Sequence, residues 1–340
     1  MTPPGPARAP DERGRFAPSP SGELHLGNAR TALLAWLWSR SAGGGFTLRV
    51  EDLDEPRVRP GLAERQLDEL LWLGLDWDEG PDPRRGFADL GPRGPYRQSL
   101  RGAHYAAAVE VLRREGHVYE CFCSRAEIAA ASAPHGPEGD GPRYPGTCAN
   151  LSQAHRDERR RTRAPALRLR VPPGTVSFED ALAGPQGTDV QAQIGDFVLR
   201  RADGVFSYQL AVVVDDAAMG VTQVLRGRDL LPSTARQILL YRLLGLEVPR
   251  FAHAPLVLAA GEGGEPTRLS KRDRSLSLST LRARGEDPRR VVALLAALSG
   301  LIDPTPRGAP ACTPAALVPM FALGKVPAGA VLISGSPESA

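Results

Sequence analysis

Strand-like and helix-like runs alternate along the first third of this chain, and that alternation limits its fold more than any other feature. Gly14 to Pro18 reads as a short strand followed by a turn of Pro, Ser and Gly. From Gly27 the pattern Ala32, Leu33, Ala35, Trp36 and Leu37, with Arg30 and Arg40, has helical periodicity. Gly43-Gly44-Gly45 ends that helix, and the β-rich run Phe46 to Val50 leads into Glu51 and Asp52. Pro60 opens a second helix through Leu62, Leu67, Leu70 and Leu71 that stops before Gly74, and a third runs from about Leu100 to Arg114. This order predicts a parallel α/β sheet. Such sheets bind ligands at the carboxyl ends of their strands, where helix N-termini point. Arg15 to Asn28 is the first such place in the chain.

The alternation breaks at Tyr119. A Cys-containing segment, a Gly/Pro-rich stretch from Pro134 to Pro145, an Arg-rich helix and short strands to about Ile194 read as an insertion. Alternation resumes with a hairpin from Phe197 to Phe206, a buried helix from Tyr208 to Asp215, a strand from Val221 to Leu225 and a helix from about Ser233 to Leu244. Helical stretches near Leu276 to Arg284, Pro288 to Leu298 and Pro314 to Leu323 follow. The expected organisation is a disordered tail at 1–14, two halves of one α/β domain at 15–118 and 195–274, the insertion at 119–194, a helical region at 275–325 and a tail at 326–340.

Net charge is only +3, so bulk charge does not demand nucleic acid. The arginines between Arg156 and Arg170 form either a local patch for phosphate contacts or a salt-bridged helix face. No run of about 18 apolar residues indicates a membrane span, and Met1 to Arg13 lacks the apolar centre of a signal peptide. A cytoplasmic protein is expected, in which four cysteines argue against a disulfide framework. Lysine occurs only at 271 and 325, in a chain that otherwise uses arginine. A compact ammonium is not interchangeable with a guanidinium, so Lys271 in the loop Leu269 to Asp273 is either a solvated residue or a mobile point charge. At the other end, the amides of a helix starting near Gly27 suit an anion. Gly27 allows close approach of a ligand, and His25 and Asn28 can donate to a phosphate.

His25-Leu26-Gly27-Asn28 and Arg268-Leu269-Ser270-Lys271-Arg272 resemble the HIGH and KMSKS motifs of class I aminoacyl-tRNA synthetases, with Asn28 and Arg268 departing from them. The segments Arg15 to Gly22, Arg49 to Asp52, Leu75 to Asp78 and Leu225 to Asp229 are similar to those of the glutamyl branch. The resemblance runs from about Arg15 to Leu298. It implies an α/β fold with a Rossmann-like parallel sheet, an inserted zinc-containing subdomain and a short helical C-terminal region. It implies ATP on His25, Gly27, Asn28, Ser270 and Lys271, with His25, Asn28 and Lys271 catalytic. It also implies L-glutamate on Arg15, Ala17, Ser19, Glu51, Tyr208 and Arg226. The chemistry agrees: a side-chain carboxylate calls for guanidinium forks and an α-ammonium for an acceptor, unless Arg15 and Glu51 simply pair with each other.

Within that branch, the short stretch after the second motif and the pattern Cys121-x-Cys123 with Tyr144-x-x-x-Cys148 resemble the glutamyl-Q tRNA(Asp) synthetases. That likeness implies a structural Zn²⁺ on Cys121, Cys123, Tyr144 and Cys148, Mg²⁺ with ATP, and tRNA(Asp) carrying queuosine as acceptor for a monomeric enzyme. Three buried apolar thiols are the other reading of the cysteines. Charging of the 3′ end of tRNA(Glu), or a non-catalytic RNA-binding role, are the other readings of the whole. A dinucleotide-dependent oxidoreductase is disfavoured, because no Gly-x-Gly-x-x-Gly follows the first strand.

Overall fold

The computed structural model describes residues 12–131, 143–260, 266–268, 276–303 and 311–333. The main elements, in chain order, are β1 (Arg13–Phe16), α1 (Leu26–Ser41), β2 (Gly45–Leu48), α2 (Leu62–Trp72), α3 (Gly102–Arg114), β3 (Val118–Cys121), α4 (Gln153–Arg160), β4 (Ala166–Leu169), β5 (Thr175–Asp180), β6 (Gly184–Asp189) and β7 (Val198–Arg200). They continue with α5 (Tyr208–Ala218), β8 (Gln223–Gly227), α6 (Leu231–Leu243), β9 (Arg250–Ala254), β10 (Val257–Ala260), β11 (Pro266–Arg268), α7 (Leu278–Ala283), α8 (Pro288–Leu298), α9 (Pro314–Leu317) and β12 (Val331–Ile333).

β1 and β2 pair in parallel, with Arg15 opposite Thr47. On its other side β1 meets the residue before β8: the Arg13 amide donates to Thr222 Oγ1 and the Thr222 amide to the Arg13 carbonyl, each at 2.9 Å. β8 pairs in parallel with β9, which sets Arg226 opposite His253, and β9 meets the end of β5 at Phe251 and Asp180. The sheet therefore grows outward from β1 in both directions, to β2 on one side and to β8, β9 and β5 on the other. The crevice above β1 and β8 is the switch point at which an open α/β sheet binds ligands.

α1 is apolar on nearly every face, as a helix must be when covered on all sides. Leu26, Ala29, Leu33, Leu34 and Leu37 are at most 1% exposed. The helix lies on the sheet and against α8. Arg30, buried in that contact, donates to Ser299 Oγ at 3.1 Å and to the Pro255 carbonyl at 2.7 Å. Gly14 allows the close approach of β1 to α1, since a Cβ there would sit 2.9 Å from Ser39 Cβ.

Several boundaries differ from the sequence reading. Arg13, expected in the tail, begins β1, and Val331 to Ile333, expected in the second tail, pair in parallel with β10. β5, expected in the insertion, joins the main sheet, whereas β7 closes the insertion's own antiparallel sheet, β3-β4-β7. The strand expected at Val221 to Leu225 runs from Gln223 to Gly227, and the last helical pattern yields one short helix, Pro314–Leu317, followed by 3₁₀ turns. Among the described residues no helix is long and apolar enough to cross a membrane.

α2 packs its apolar face on the core and carries a buried carboxylate. Among the described residues Glu69 Oε2 has no hydrogen-bond partner, and burial, with Glu23 adding to it, pushes the carboxyl up to about 7. A carboxyl that holds its proton more tightly when folded loses stability as pH rises from the unfolded value of about 4.3 through that raised one. Glu69→Gln should therefore raise the melting temperature at pH 8 and leave it unchanged near pH 4. Equal shifts at both pH values in thermal melts would show that the effect is packing and not charge.

Candidate active site

The crevice above β1 and β8 opens as a cleft of about 580 Å³. It is lined by Arg15, Ala17, Ser19, His25, Gly27, Asn28, Glu51, Tyr208 and Arg226, so these sequence-predicted residues meet at one place. Ser270 and Lys271 lie outside the described residues. Further along, Ser277 forms an antiparallel bridge with His25.

The floor between β1 and α1 is the turn Pro18 to Gly22, which three distant groups hold. Gln66 Nε2 on α2 donates to the Ser19 carbonyl at 3.1 Å and the Gly22 carbonyl at 2.7 Å. The Glu51 amide donates to the Pro18 carbonyl and the Arg59 amide to the Pro20 carbonyl, both at 3.0 Å.

The start of α1 differs from the expectation of open amides. His25 Nδ1 accepts from the amides of Gly27 (3.1 Å) and Asn28 (3.3 Å), and Asn28 Oδ1 accepts from the His25 amide at 3.3 Å. This reciprocal cap satisfies the donors assigned to an anion. It also determines the imidazole: with Nδ1 accepting, the proton of the neutral ring sits on Nε2. With those amides engaged, what this end adds to the lining of the cleft is the His25 and Asn28 side chains. Gly27 has a further role here, because a Cβ would lie 3.0 Å from the His25 ring.

Behind the cleft lies a cluster of buried charges. Arg49 Nη1 donates to Asp216 Oδ1 at 2.7 Å and Nη2 to Glu51 Oε1 at 3.1 Å, and Asp215 is 3.7 Å from Nε. Arg15 Nε lies 3.4 Å from Asp216 Oδ1. Arg15 and Glu51 therefore do not pair directly; each has another partner. Burial raises the Glu51 carboxyl above its ordinary value despite Arg49 and Arg15. Arg226 differs from Arg15: among the described residues no carboxylate forms an ion pair with it. Nε donates to His253 Nε2 at 2.9 Å, Nη2 to Thr234 Oγ1 at 2.8 Å, and Nη1 lies 3.5 Å from the Tyr208 hydroxyl. His253 Nδ1 in turn meets Asp180 Oδ2 at 2.5 Å. The cleft so presents guanidinium groups and a phenol to an anionic side chain, an acceptor to an ammonium, and His25 with Asn28 to a phosphate.

Arg49, Asp215, Asp216, Thr234, His253, Asp180 and Gln66 were not anticipated. One signal was available: two adjacent aspartates inside an otherwise apolar helix, Val212-Val213-Val214-Asp215-Asp216, are out of place unless paired.

Far from the cleft, the sulfurs of Cys121, Cys123 and Cys148 lie within 4.8 Å of one another. Cys123 Sγ is 3.5 Å from Cys148 Sγ and 3.8 Å from the Tyr144 hydroxyl, which also accepts from the Cys148 amide at 2.8 Å. A tetrahedral zinc with sulfurs at about 2.3 Å separates them by about 3.8 Å, so the donor set fits such an ion. Burial would raise the Cys148 thiol, yet hydrogen bonds from the Phe122 amide and from Tyr144 bring it below its ordinary value.

The arginines of the insertion are mostly spent on holding this subdomain. Arg160 pairs with Glu120 and Asp157, and Arg163 donates to the Phe122 carbonyl and Glu127. Arg168 is buried 3.8 Å over the Tyr144 ring, and Arg170 donates to the Ala149 carbonyl. Of the two readings of this run, Arg160, Arg163, Arg168 and Arg170 follow the salt-bridged one, with stacking and carbonyl contacts added.

Residues 13–304 match the family model of tRNA synthetases class I (E and Q), catalytic domain. The chain is 54% identical over 317 residues to the glutamyl-Q tRNA(Asp) synthetase of Symbiobacterium thermophilum, covering 92% of this chain and 93% of that one. It is 41% identical to glutamate–tRNA ligase 2 of Syntrophus aciditrophicus, covering 92% of this chain and 62% of the relative. The crystal structure of a glutamate tRNA ligase from Elizabethkingia meningosepticum in complex with its amino acid is similar with a TM-score of 0.81 and 29% identity, over 95% of this chain and 67% of that one.

The raised Glu51 carboxyl leads to a pH test. If ionised Glu51 accepts the ammonium of an amino acid, binding of glutamate weakens as pH falls, with a midpoint above the ordinary carboxylate value of about 4.3. Glu51→Gln should weaken binding at neutral pH and remove that displaced midpoint in calorimetric titrations. A midpoint that stays in place in the variant would assign it to another group.

Proposed function

The chain belongs to the class I tRNA synthetases of the glutamate and glutamine group, and from that premise we propose that it activates L-glutamate with ATP and transfers the glutamyl group to queuosine in the anticodon of tRNA(Asp). What carries this reading is identity across nearly the whole of both chains with a relative named for that reaction. As a ligase it works in two steps. A glutamate α-carboxylate oxygen attacks the α-phosphorus of ATP and pyrophosphate leaves. A hydroxyl of the queuosine cyclopentene ring then attacks the acyl carbon, and AMP leaves with its phosphate able to accept the proton.

The first step needs no base, since the attacking carboxylate is already ionised. Its rate comes from positioning and charge stabilisation. Arg226, Tyr208 and Arg15 orient the side-chain carboxylate, Glu51 takes the α-ammonium, and His25 Nε2 with Asn28 Nδ2 hold the phosphates. Ser270 and Lys271 are assigned to the ATP phosphates by their sequence motif, and the bridge of Ser277 to His25 supports that assignment. Mg²⁺ bound with ATP neutralises charge on the phosphates. Cys121, Cys123, Cys148 and Tyr144 would hold a structural Zn²⁺, whose role is to fix the insertion. Cysteines outside any disulfide fit a cytoplasmic enzyme, and a monomer is part of the same proposal.

The deciding assay supplies labelled glutamate and ATP with tRNA(Asp) bearing queuosine, tRNA(Asp) bearing guanine at that position, and tRNA(Glu). Label should enter only the first. Labelling of the 3′ end of tRNA(Glu) would replace this reading with ordinary aminoacylation. Lys271→Ala should slow pyrophosphate exchange by about one to three orders of magnitude, the scale of losing one transition-state donor, with glutamate affinity unchanged. Metal analysis should find about one zinc per chain, as one closed four-ligand site requires. Cys121→Ser with Cys123→Ser should remove it and lower stability before pyrophosphate exchange.

A further inference from the structure

Arg226 is a buried cation whose hydrogen-bond partners among the described residues are all neutral, and the way it is held has a consequence for selectivity. Resting on the assignment of Arg226 to the glutamate side chain, we propose that His253 and Asp180 are positioning residues that set the cleft's preference for a side-chain carboxylate over a carboxamide.

The geometry is a chain of three groups. Asp180 is immobilised by the amides of Leu182 (3.1 Å), Ala183 (2.8 Å) and His253 (3.1 Å). Its Oδ2 takes the proton side of His253 Nδ1, so the ring's Nε2 presents a lone pair to the Arg226 Nε–H. Thr234 Oγ1 touches the same Nε2 at 3.1 Å and accepts from Arg226 Nη2. Two edges of the guanidinium are thereby fixed, and the third, Nη1, is turned to Tyr208 and the cleft. Asp180 and His253 are at most 1% exposed, so no water substitutes for either. A carboxylate in the place of His253 would neutralise Arg226 and leave less of its charge for a ligand. A neutral imidazole orients the group and leaves that charge to be met by the substrate.

The test compares His253→Leu, His253→Gln, Asp180→Asn and Arg226→Gln in pyrophosphate exchange with glutamate and with glutamine, alongside thermal melts. His253→Leu should raise the glutamate KM roughly tenfold or more, the effect of losing a buried hydrogen bond to a charged group. The ATP KM should stay within about twofold, and the glutamate-over-glutamine ratio of kcat/KM should fall. Asp180→Asn should shift the same quantities less, and His253→Gln, which keeps an acceptor, should recover part of the loss. Nitrogen-15 spectra of the wild-type protein should show His253 as the Nδ1–H tautomer. An Nε2–H tautomer, or equal KM changes for both substrates, overturns the positioning role even if the leucine variant does not fold. If Arg226→Gln leaves the glutamate KM unchanged, the assignment of the site fails first; if it raises that KM and the His253 and Asp180 variants do not, this proposal fails alone.

Discussion

Two adjacent aspartates, Asp215 and Asp216, sit in the interior with side chains almost closed to solvent, and much of the site depends on how they are answered. Asp215 meets Arg101 at 2.5 Å, Gln98 at 2.8 Å and the Tyr105 hydroxyl at 2.9 Å. Asp216 meets Arg49 and Arg15. These partners come from β1, the end of β2 and the start of α3, so the pairings fasten α5 to the first half of the sheet. Such a cluster adds little net stability over apolar packing, but removing one partner leaves a bare buried charge and costs about 3–5 kcal/mol. Its value here is orientation. Arg49 is held by Asp216 and in turn holds Glu51, and Arg15 is turned by Asp216 towards the cleft.

The same economy of partners operates at the start of α1. A histidine that caps its own helix cannot also leave the Gly27 and Asn28 amides open, so under the proposed function the phosphates fall to the two side chains in place of those amides. Capping thereby selects the ring tautomer, and the tautomer selects which nitrogen can donate. Gly27 is what allows the ring to fold back over the helix end.

Much of this was legible in the sequence because it is local. Strand, turn and helix from Arg15 to Ser41 follow from periodicity and glycine placement, whereas the grouping of Cys121, Cys123, Tyr144 and Cys148 came from a likeness to a family pattern. The nine cleft residues were recovered through motifs. What was missed lies in long-range pairing: Arg49 with Asp216 spans 167 residues, and Asp180 with His253 spans 73. No periodicity encodes such partners. The two readings of the arginines from Arg156 to Arg170 stayed open for the same reason. Composition shows a charge, but only the fold shows that Glu120, Glu127 or a tyrosine ring already occupies it. β5 was assigned to the wrong sheet because its link to β9 is a short contact at Phe251 and Asp180.

The turn Pro18 to Gly22 shows how the cleft spends its entropy. Its carbonyls are tied to Gln66, Glu51 and Arg59 within the fold, and backbone freedom surrendered in folding is not lost a second time on binding. A ligand settling beside it is spared the ordering of that backbone, though not the loss of its own freedom of movement. A floor tied at this many points favours recognition by fit over recognition by adaptation.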